Sequence, residues 1–393
     1  MVRKSYVTKT FLNKVSLWKD RPPLLGNLDI ELTERCNNNC VHCYINLPAD
    51  DTSAREKELS TEQIKDILRE AVSLGCIELR FTGGEPLLRV DFEELYIFAR
   101  KLGLKVTLFT NATLITPGLV RLFIHIPPLR DIEISLYGMK KSTYEAISRV
   151  SGSYKAAWNG INLLLKNKVP FIVKAPLLPQ NKSEMEEFES WRSTIPWEDE
   201  SSPFSVFFDL RGRRDNIRKN ELIKRLRMKP KELLRLFTIR KGYYRDIEEM
   251  KEFCRKFMRP QGDKLFFCGS GRGGCVDAYG YFQPCMMLRD PDMVYDLKKG
   301  TLQDALKNFF PKMKERKATN PEYLSRCAKC FLVGLCEQCP AKSWMEQGTL
   351  DTPVEYLCKM AHAEARYFGL LKDGELAWEV IDWQERVKKF YNS

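Results

Sequence analysis

Residues 28–44 read LDIELTERCNNNCVHCY, and this stretch decides the fold. Its first six residues are a short β-rich run, which predicts a β-strand at Leu28–Thr33. A loop with three cysteines, Cys36, Cys40 and Cys43, follows this strand directly. Because the three thiols lie within eight residues, they can all face one centre, and we predict that the loop binds metal.

Three thiolates are one ligand short of a closed metal site. A four-iron cluster takes four ligands, so three cysteines leave one iron open to a ligand from outside the protein. A structural zinc site is the alternative, and it normally needs a fourth Cys or His. His42 lies inside the loop, but its neighbours Cys40 and Cys43 make a shared centre with it geometrically awkward.

From Leu28 to about Leu210 the chain alternates between β-rich runs and helical patterns. Helical spacing is clearest at Thr61–Leu74, where Ser60 is a plausible N-cap and Gly75 ends the pattern. Strands alternating with helices indicate βαβ units and a parallel sheet, either an incomplete barrel or an open doubly wound sheet. The six predicted strands are Leu28–Thr33, Ile77–Thr82, Lys105–Thr110, Asp131–Tyr137, Phe171–Leu178 and Phe204–Leu210.

Composition indicates a cytoplasmic globular protein rich in metal-binding thiols. The 393 residues include 13 cysteines, and in a reducing compartment such cysteines are more often metal ligands than disulfides. No signal peptide and no run long enough to span a membrane is evident, so we expect no membrane partner. The net charge of +12 reflects either a solvated basic surface or attraction to an acidic partner such as a leader peptide. No basic run interleaves with aromatics, so we expect no nucleic acid.

The C-terminal part of the chain contains a second set of cysteines. We predict an N-terminal extension at 1–27, an α/β domain at 28–210, a helical bridge at 211–264, a cysteine-rich domain at 265–360 and a helical segment at 361–393. Eight thiols suffice for two four-ligand clusters, with two zinc sites as the alternative. These eight are Cys268, Cys275, Cys285, Cys327, Cys330, Cys336, Cys339 and Cys358.

Motifs at four successive strand ends resemble the radical S-adenosylmethionine (radical SAM) superfamily. The first is the C-x3-C-x2-C spacing of the loop after the first strand. The others are Thr82-Gly83-Gly84-Glu85-Pro86, similar to the GGEP motif, Thr110-Asn111-Ala112, and Ser135-Leu-Tyr-Gly138. This resemblance implies a partial (β/α)6 TIM-like barrel over residues 28–210, and a [4Fe–4S] cluster held by Cys36, Cys40 and Cys43.

The resemblance also implies contacts to the methionine, ribose and carboxylate parts of SAM. Gly83 and Gly84 would let the backbone approach the methionyl group, and Glu85 would receive its ammonium. Ser135 would bond the ribose, and Arg149 would meet the carboxylate. The full set of implied cofactor-binding residues is Tyr44, Gly83, Gly84, Glu85, Pro86, Asn111, Ser135 and Arg149.

The C-terminal cysteine pattern resembles the SPASM extension, whose members carry two auxiliary [4Fe–4S] clusters. By this likeness the chain has three clusters in all. Cys268, Cys275, Cys285 and Cys339 would hold the first auxiliary cluster, and Cys327, Cys330, Cys336 and Cys358 the second. The family commonly has three residues between the last two central cysteines, whereas Cys336 and Cys339 are separated by two. This departure concerns how the ligands divide between the clusters.

The resemblance implies reductive cleavage of SAM to a 5′-deoxyadenosyl radical, which abstracts a hydrogen atom from a substrate. We expect a peptide or protein substrate and a flavodoxin or ferredoxin as electron donor. In the sulfatase maturases an Asp follows the third auxiliary cysteine and acts as a base, but here Met286 follows Cys285, which argues against that activity. Only about 27 residues precede the first strand, which argues against an N-terminal leader-binding module.

Two other functions stay open. A small-molecule substrate such as a tetrapyrrole is the alternative within the same enzyme class, and a non-catalytic electron carrier or zinc-stabilised binding module is the alternative outside it. Asp209, at the end of the sixth predicted strand, is the candidate for a catalytic residue on the substrate side.

Overall fold

The computed structural model describes residues 23–197, 203–205, 216–238, 251–252, 255–268 and 273–392. Within these ranges the chain forms a partial α/β barrel whose parallel sheet continues into a cysteine-rich C-terminal region. The predicted fold class is confirmed. Asp209 and most of the sixth predicted strand lie outside the described residues, which contain only its first two residues, Phe204–Ser205.

One nine-stranded sheet organises the molecule. Six of its strands are parallel neighbours in the order β1-β4-β5-β6-β7-β8, and β9, β10 and β11 extend the sheet beyond β1. The strands are β1 (Asn27–Thr33), β4 (Glu78–Gly83), β5 (Lys105–Thr110), β6 (Leu129–Ser135), β7 (Ile172–Pro176), β8 (Phe204–Ser205), β9 (Gly274–Val276), β10 (Tyr281–Gln283) and β11 (Tyr295–Asp296), and two further strands, β2 (Arg35–Cys36) and β3 (Leu47–Pro48), pair apart from it.

Helices connect the parallel strands and cover the outer face of the sheet. Those of the barrel are α1 (Thr52–Lys57), α2 (Thr61–Ser73), α3 (Phe92–Lys101), α4 (Pro117–His125), α5 (Lys141–Ser148), α6 (Ser153–Lys166) and α7 (Met185–Arg192). Those that follow are α8 (Ile217–Leu226), α9 (Pro230–Thr238), α10 (Leu302–Asp304), α11 (Phe310–Lys314), α12 (Pro321–Ser325), α13 (Pro340–Gln347), α14 (Glu355–Tyr367) and α15 (Trp383–Asn392), with a π-helical turn at Ala305–Phe309 and short 3₁₀ turns elsewhere.

Helix α2 shows how local sequence sets an element. The Ser60 side chain accepts from the Gln63 backbone, and the Gln63 side chain accepts from the Ser60 backbone, so two N–H groups at the helix start are satisfied. Four residues at helical spacing, Ile64, Ile67, Leu68 and Ala71, are buried against the sheet, as their spacing predicts. Gly75 follows with φ +86°, a backbone conformation that glycine adopts without strain.

Side chains alternate across the sheet and give the barrel a polar interior. In β1, Leu28, Ile30 and Leu32 belong to the apolar core, whereas Asp29 and Glu31 belong to the opposite face. Across that inner face, the Arg80 Nη1 atom of β4 lies 3.1 Å from Asp29 Oδ1. The barrel interior can therefore hold charged ligands at the carboxyl ends of the strands.

The cysteine-rich region joins the barrel through β1. Strand β9 runs parallel to β1, with Leu28 opposite Gly274 and Ile30 opposite Val276. Next to this junction the Arg289 guanidinium forms a buried ion pair with Glu31. Separation of the two regions would break both contacts, so the cysteine-rich region has a fixed position relative to the barrel.

The helix predicted at Thr61–Leu74 is observed as α2, which ends one residue earlier, at Ser73. Helix α5 ends at Ser148, because Arg149 adopts the left-handed conformation at φ 54°. In the described part of the chain, none of the helices has the length and apolar character to cross a bilayer.

Candidate active site

A cavity of about 330 Å³ lies at the carboxyl ends of the parallel strands. It collects residues from all four predicted motifs, as expected where the loops after parallel strands converge. The predicted residues that line it are Cys36, Cys40, Cys43, Tyr44, Gly83, Gly84, Asn111 and Ser135. Three other predicted residues, Glu85, Pro86 and Arg149, are not among the lining residues and lie around the cavity.

The cysteine loop presents its three thiols to this cavity. Burial raises the pKa of Cys36, and burial together with the Cys43 thiol raises the pKa of Cys40 to about 12. Hydrogen-bond donors nevertheless point at both sulfurs. The backbone amide of Asn38 lies 3.3 Å from Cys36 Sγ, and Asn111 Nδ2 lies 3.7 Å from the same sulfur. The Tyr137 hydroxyl forms a hydrogen bond with the Cys40 thiol. Donors aimed at buried thiols suit sulfur that carries negative charge, as it does when bound to iron.

The two glycines after β4 are required by close backbone contacts. A Cβ atom at Gly83 would lie 2.2 Å from the carbonyl oxygen of Thr33, and one at Gly84 would lie 2.2 Å from that of Arg35. The amide of Gly84 donates to Thr33 and that of Glu85 donates to Arg35, at 2.7 and 2.9 Å. The Gly-Gly pair therefore holds the end of β4 against the start of the cysteine loop, while both residues line the cavity.

Glu85 is fully buried next to the cavity. One carboxylate oxygen accepts from Thr110 Oγ1 at 2.8 Å and from the Leu87 amide at 3.2 Å, and the other accepts from the Asn111 amide at 2.8 Å. Burial raises the pKa of Glu85 to about 7. The carboxylate thus positions the loop that carries Asn111, and its predicted contact with the SAM ammonium stays a prediction. Pro86 begins a buried 3₁₀ turn directly after it.

Arg149 binds the cysteine loop from outside. Its Nε atom donates to the Asn39 carbonyl oxygen at 2.6 Å, and its Nη2 atom donates to the Asn39 side chain at 2.7 Å. The backbone amides of Asn39 and Val41 donate to carbonyl groups at the end of α5. In this structure the Arg149 guanidinium stabilises the cysteine loop through Asn39. Its predicted contact with the SAM carboxylate stays a prediction.

Sequence reasoning missed a charged pair inside the cavity. Glu133 of β6 and Lys174 of β7 both line it, as does Phe109 of β5. Burial raises the pKa of Glu133, and Lys174 acts in the opposite direction. The signal was present in the sequence, because strand alternation places Glu133 on the same face as Ser135, two residues later.

Tyr44 and Met286 extend the cavity towards the cysteine-rich region. Both line the cavity. Burial raises the pKa of the Tyr44 hydroxyl well above its ordinary value, with a further contribution from Glu31. Met286 directly follows Cys285, so a residue next to a predicted auxiliary-cluster ligand reaches the same cavity as the cysteine loop.

Four C-terminal thiols line a second, smaller cavity of about 40 Å³. They are the four predicted ligands of the second auxiliary cluster, Cys327, Cys330, Cys336 and Cys358. Arg326 Nη2 and His362 Nδ1 each lie 3.6 Å from Cys358 Sγ. The Ala377 amide donates to His362 Nε2 at 3.1 Å, so the imidazole proton is on Nδ1, which donates to the Cys358 carbonyl oxygen at 2.8 Å.

Three of the four thiols predicted for the first auxiliary cluster, Cys268, Cys285 and Cys339, lie close enough to influence one another. Burial raises the pKa of Cys285 to about 11, with smaller contributions from Cys339 and Cys268 in the same direction. Cys275 is fully buried on β9 opposite Asp29, and after burial the main influences on its pKa are Glu31, which raises it, and Arg289, which lowers it. The ligand role of Cys275 stays a prediction, and the structure places this thiol on the barrel side of the junction.

The described residues include no group of three or more His, Cys, Asp or Glu side chains arranged to hold a single metal ion. The thiols surround cavities instead. A zinc ion needs its ligands gathered within about 2.3 Å of one point, whereas a four-iron cluster needs thiols spread around a larger body. The three thiols at the wider cavity leave one ligand position open, which fits a four-iron cluster better than a closed zinc site.

Residues 30–191 match the model of the Radical SAM superfamily, so this part of the chain is similar to radical SAM proteins. Among curated relatives, it is 33% identical over 155 residues to the AdoMet-dependent heme synthase of Methanosarcina barkeri, covering 39% of this chain and 43% of that protein. It is 44% identical over 87 residues to the PqqA peptide cyclase of Streptomyces rochei, covering 22% of this chain and 23% of that protein. The chain thus spans less than half the length of either relative.

The whole described architecture is similar to that of a solved enzyme. Native anSMEcpe with bound AdoMet and Cp18Cys peptide superposes with a TM-score of 0.58 at 15% identity, covering 94% of this chain and 100% of that chain. Since this coverage includes the cysteine-rich region, the likeness in fold extends well beyond the matched family segment.

Proposed function

We propose that this protein cleaves SAM reductively and abstracts a hydrogen atom from a peptide or protein substrate. The observation that carries the proposal is the cavity at the strand ends, where three thiols, a Gly-Gly turn and polar strand-end residues meet. When bound, the cluster supplies one electron that breaks the sulfonium–C5′ bond of SAM, giving methionine and a 5′-deoxyadenosyl radical, which takes a hydrogen atom from the substrate and leaves as 5′-deoxyadenosine.

Cys36, Cys40 and Cys43 would hold this cluster and leave its fourth iron to the amino and carboxylate groups of SAM. The donors from Asn38, Asn111 and Tyr137 would stabilise the bound thiolates.

Residues of the next three strand ends would orient SAM. Gly83 and Gly84 offer backbone groups at the cavity wall, and Ser135 offers a hydroxyl to the ribose. Asn111 donates to Asn37 Oδ1 at 3.0 Å, which ties the third motif to the cysteine loop. Glu85 would position Asn111 and would accept from the SAM ammonium if its carboxylate turned to the cavity.

A peptide substrate is supported by two similarities and by one feature of the cavity. One curated relative is a peptide cyclase, and the solved structure of similar fold contains a peptide. Glu133 and Lys174 provide one acidic and one basic group in the cavity, which suits the amide and charged groups of a peptide. Met286 provides no base at the position after Cys285, so the reaction would not depend on a base there. Asp209 stays a candidate outside the described residues.

A small-molecule substrate is the second candidate, favoured by the identity of 33% to a heme synthase. The two candidates predict different ligands for the same cavity. Tight binding of an iron porphyrin, in competition with substrate, would favour the second candidate.

Cys268, Cys275, Cys285 and Cys339 would hold the first auxiliary cluster, and Cys327, Cys330, Cys336 and Cys358 the second. A one-electron carrier such as a flavodoxin or ferredoxin would supply electrons to these clusters. A purely electron-carrying or zinc-binding protein would not need a wide cavity beside a three-cysteine loop, so the geometry favours the enzyme.

The test is made anaerobically on the reconstituted protein. Three four-iron clusters predict about twelve irons and about twelve sulfides per chain. Addition of dithionite and SAM should then yield 5′-deoxyadenosine. Full clusters without cleavage, or zinc in place of iron, would contradict the proposal.

A further inference from the structure

A surface groove of about 500 Å³ lies beside the cavity of the four C-terminal thiols. The groove and that cavity share four lining residues, Arg326, Cys358, His362 and Trp378. Because Cys358 lines both, the groove reaches a cysteine that the proposed function assigns to the second auxiliary cluster. The groove has no lining residue in common with the 330 Å³ cavity of the cysteine loop.

The described residues that line the groove carry more basic than acidic groups. The acidic one among them, Glu355, pairs with Arg326 at 2.7 Å. Arg326 also pairs with Glu322, and Arg366 with Asp373, so the excess of positive charge rests on the lysines. Lys231 and Lys359 are exposed, so their ammonium groups can reach a partner. The five basic residues that line the groove are Lys229, Lys231, Arg326, Lys359 and Arg366. A surface of this charge attracts an acidic partner and accelerates its association.

Apolar side chains also line the groove. Leu376 is 38% exposed, and Trp378 and Pro230 line the groove with it. The guanidinium carbon of Arg326 lies 4.8 Å from the centre of the Trp378 ring. Exposed aromatic and arginine side chains are enriched at protein interfaces.

Polar contacts connect this surface to the thiol below it. Arg326 and His362 each place a nitrogen 3.6 Å from Cys358 Sγ, and both residues line the groove. A partner that covers Trp378 would therefore be separated from the predicted cluster by little more than the Arg326 and His362 side chains. Short distances of this kind are what electron transfer between proteins requires, and such contacts use small interfaces.

We propose that this groove docks an acidic one-electron carrier protein of the flavodoxin or ferredoxin kind. The proposal rests on the proposed function. The reduced carrier would lose one electron to the cluster held by Cys327, Cys330, Cys336 and Cys358, and this electron would later reach the cluster that cleaves SAM. A leader peptide is a less suitable occupant, because the groove adjoins an electron-carrying site and does not join the cavity in which the substrate would react.

The test uses the holoenzyme with an acidic flavodoxin as the probe. The double variant Lys231→Glu/Lys359→Glu reverses two charges on the groove. Its matched control, Lys141→Glu/Lys155→Glu, makes the same change at two exposed lysines of α5 and α6. Binding is measured by fluorescence anisotropy, and cluster reduction by photoreduced flavodoxin is followed by the loss of cluster absorbance.

The groove variant should bind flavodoxin about tenfold more weakly than the control variant, since charge reversal at an interface opposes association. Its clusters should be reduced correspondingly more slowly by flavodoxin, while SAM cleavage driven by dithionite stays at the wild-type level. For the wild type, binding should weaken as salt rises. Equal binding and equal reduction in the two double variants would overturn the proposal, as would wild-type binding that is insensitive to salt.

Failure of the docking proposal can be told apart from failure of the proposed function. If dithionite produces no SAM cleavage even in the wild type, the proposed function is wrong. If dithionite works and the groove variant still accepts electrons from flavodoxin normally, only the docking proposal is wrong. Binding of an acidic peptide to the groove, with no binding of flavodoxin, would also overturn it.

Discussion

Two cysteine sites of this molecule differ in the number of thiols and in the space around them. At the barrel, three thiols share a cavity of about 330 Å³ with polar strand-end residues. In the C-terminal region, four thiols line a cavity of about 40 Å³. The first site has room for a cluster and a ligand, whereas the second has a full set of protein ligands and little space beyond them. Under the proposed function, this difference would separate a site for chemistry from a site for electron transfer.

The two cysteine sites also differ in the charge of the groups that contact their thiols. The barrel thiols receive hydrogen bonds from neutral donors, the Asn38 amide and the Tyr137 hydroxyl. At the C-terminal site the guanidinium of Arg326 approaches Cys358. A cation close to a cluster favours its reduced form, because reduction adds negative charge. Arg326 should therefore help the C-terminal cluster to accept an electron from a partner.

The substitution Cys40→Ala should have the largest effect. It removes one of three ligands, so formation of 5′-deoxyadenosine should fall to the level without enzyme. The iron content should fall by about four per chain, the content of one cluster. Cys76→Ala is the control, because Cys76 is a buried thiol that bonds the Glu78 carbonyl and belongs to no predicted cluster. Normal SAM cleavage by the Cys40 variant would contradict the assignment of this loop.

Cys336→Ala should separate the two sites. Cys336 lines the smaller cavity, so its loss should also remove about four irons per chain. SAM cleavage driven by dithionite should persist, because the barrel site stays complete, whereas turnover driven by flavodoxin should fall severalfold. Loss of dithionite-driven cleavage in a variant that keeps its barrel cluster, as judged by electron paramagnetic resonance, would show that the two sites are not separable.

Glu85→Gln should lower stability in a manner that depends on pH. Burial raises the pKa of Glu85 from its ordinary value to about 7, so folding favours the neutral carboxyl. The wild type should be most stable relative to the variant at low pH and should lose up to about 3 kcal/mol of that advantage as pH rises through 7. Urea unfolding monitored by circular dichroism from pH 5 to 8 measures this. A stability difference that is constant with pH would contradict the account.

Arg149→Ala should have the smallest effect of the four. The substitution removes two hydrogen bonds to Asn39, so the cysteine loop should be held less firmly. We expect the barrel cluster to be lost severalfold faster in the presence of an iron chelator. Lys141→Ala, exposed at the start of the helix that Arg149 follows, is the control. A SAM affinity lowered strongly at an unchanged rate of cluster loss would instead support the contact between Arg149 and the SAM carboxylate.

The order of the strands and the position of the cavity could be predicted from the sequence, because they depend on local signals. The β-rich run Leu28–Thr33 and the cysteines after it placed the first strand and its loop. Contacts between distant parts of the chain could not be predicted in this way. The pairing of Leu28 with Gly274 spans more than two hundred residues, and no local pattern specifies it. The position of Cys275 beside Glu31 and Arg289 depends on that pairing.

The roles of side chains were harder to predict than their presence at the site. The motif containing Glu85 marks the cavity, but only the folded chain shows that three donors already occupy its carboxylate. Glu133 and Lys174 belong to no motif, yet they line the cavity. The sequence did contain a signal for both residues, because each is a charged residue two positions before the end of its strand, β6 or β7, and alternation places it on the inner face.

The central claim is that the cluster at Cys36, Cys40 and Cys43 offers an open iron to SAM. Electron–nuclear double resonance on the reduced protein, with SAM carrying ¹⁵N in its amino group and ¹⁷O in its carboxylate, tests this claim most directly. The account predicts coupling of both labels to the barrel cluster, retained in Cys336→Ala and lost in Cys40→Ala. Coupling that is absent from the wild type, or that survives in Cys40→Ala, would contradict it.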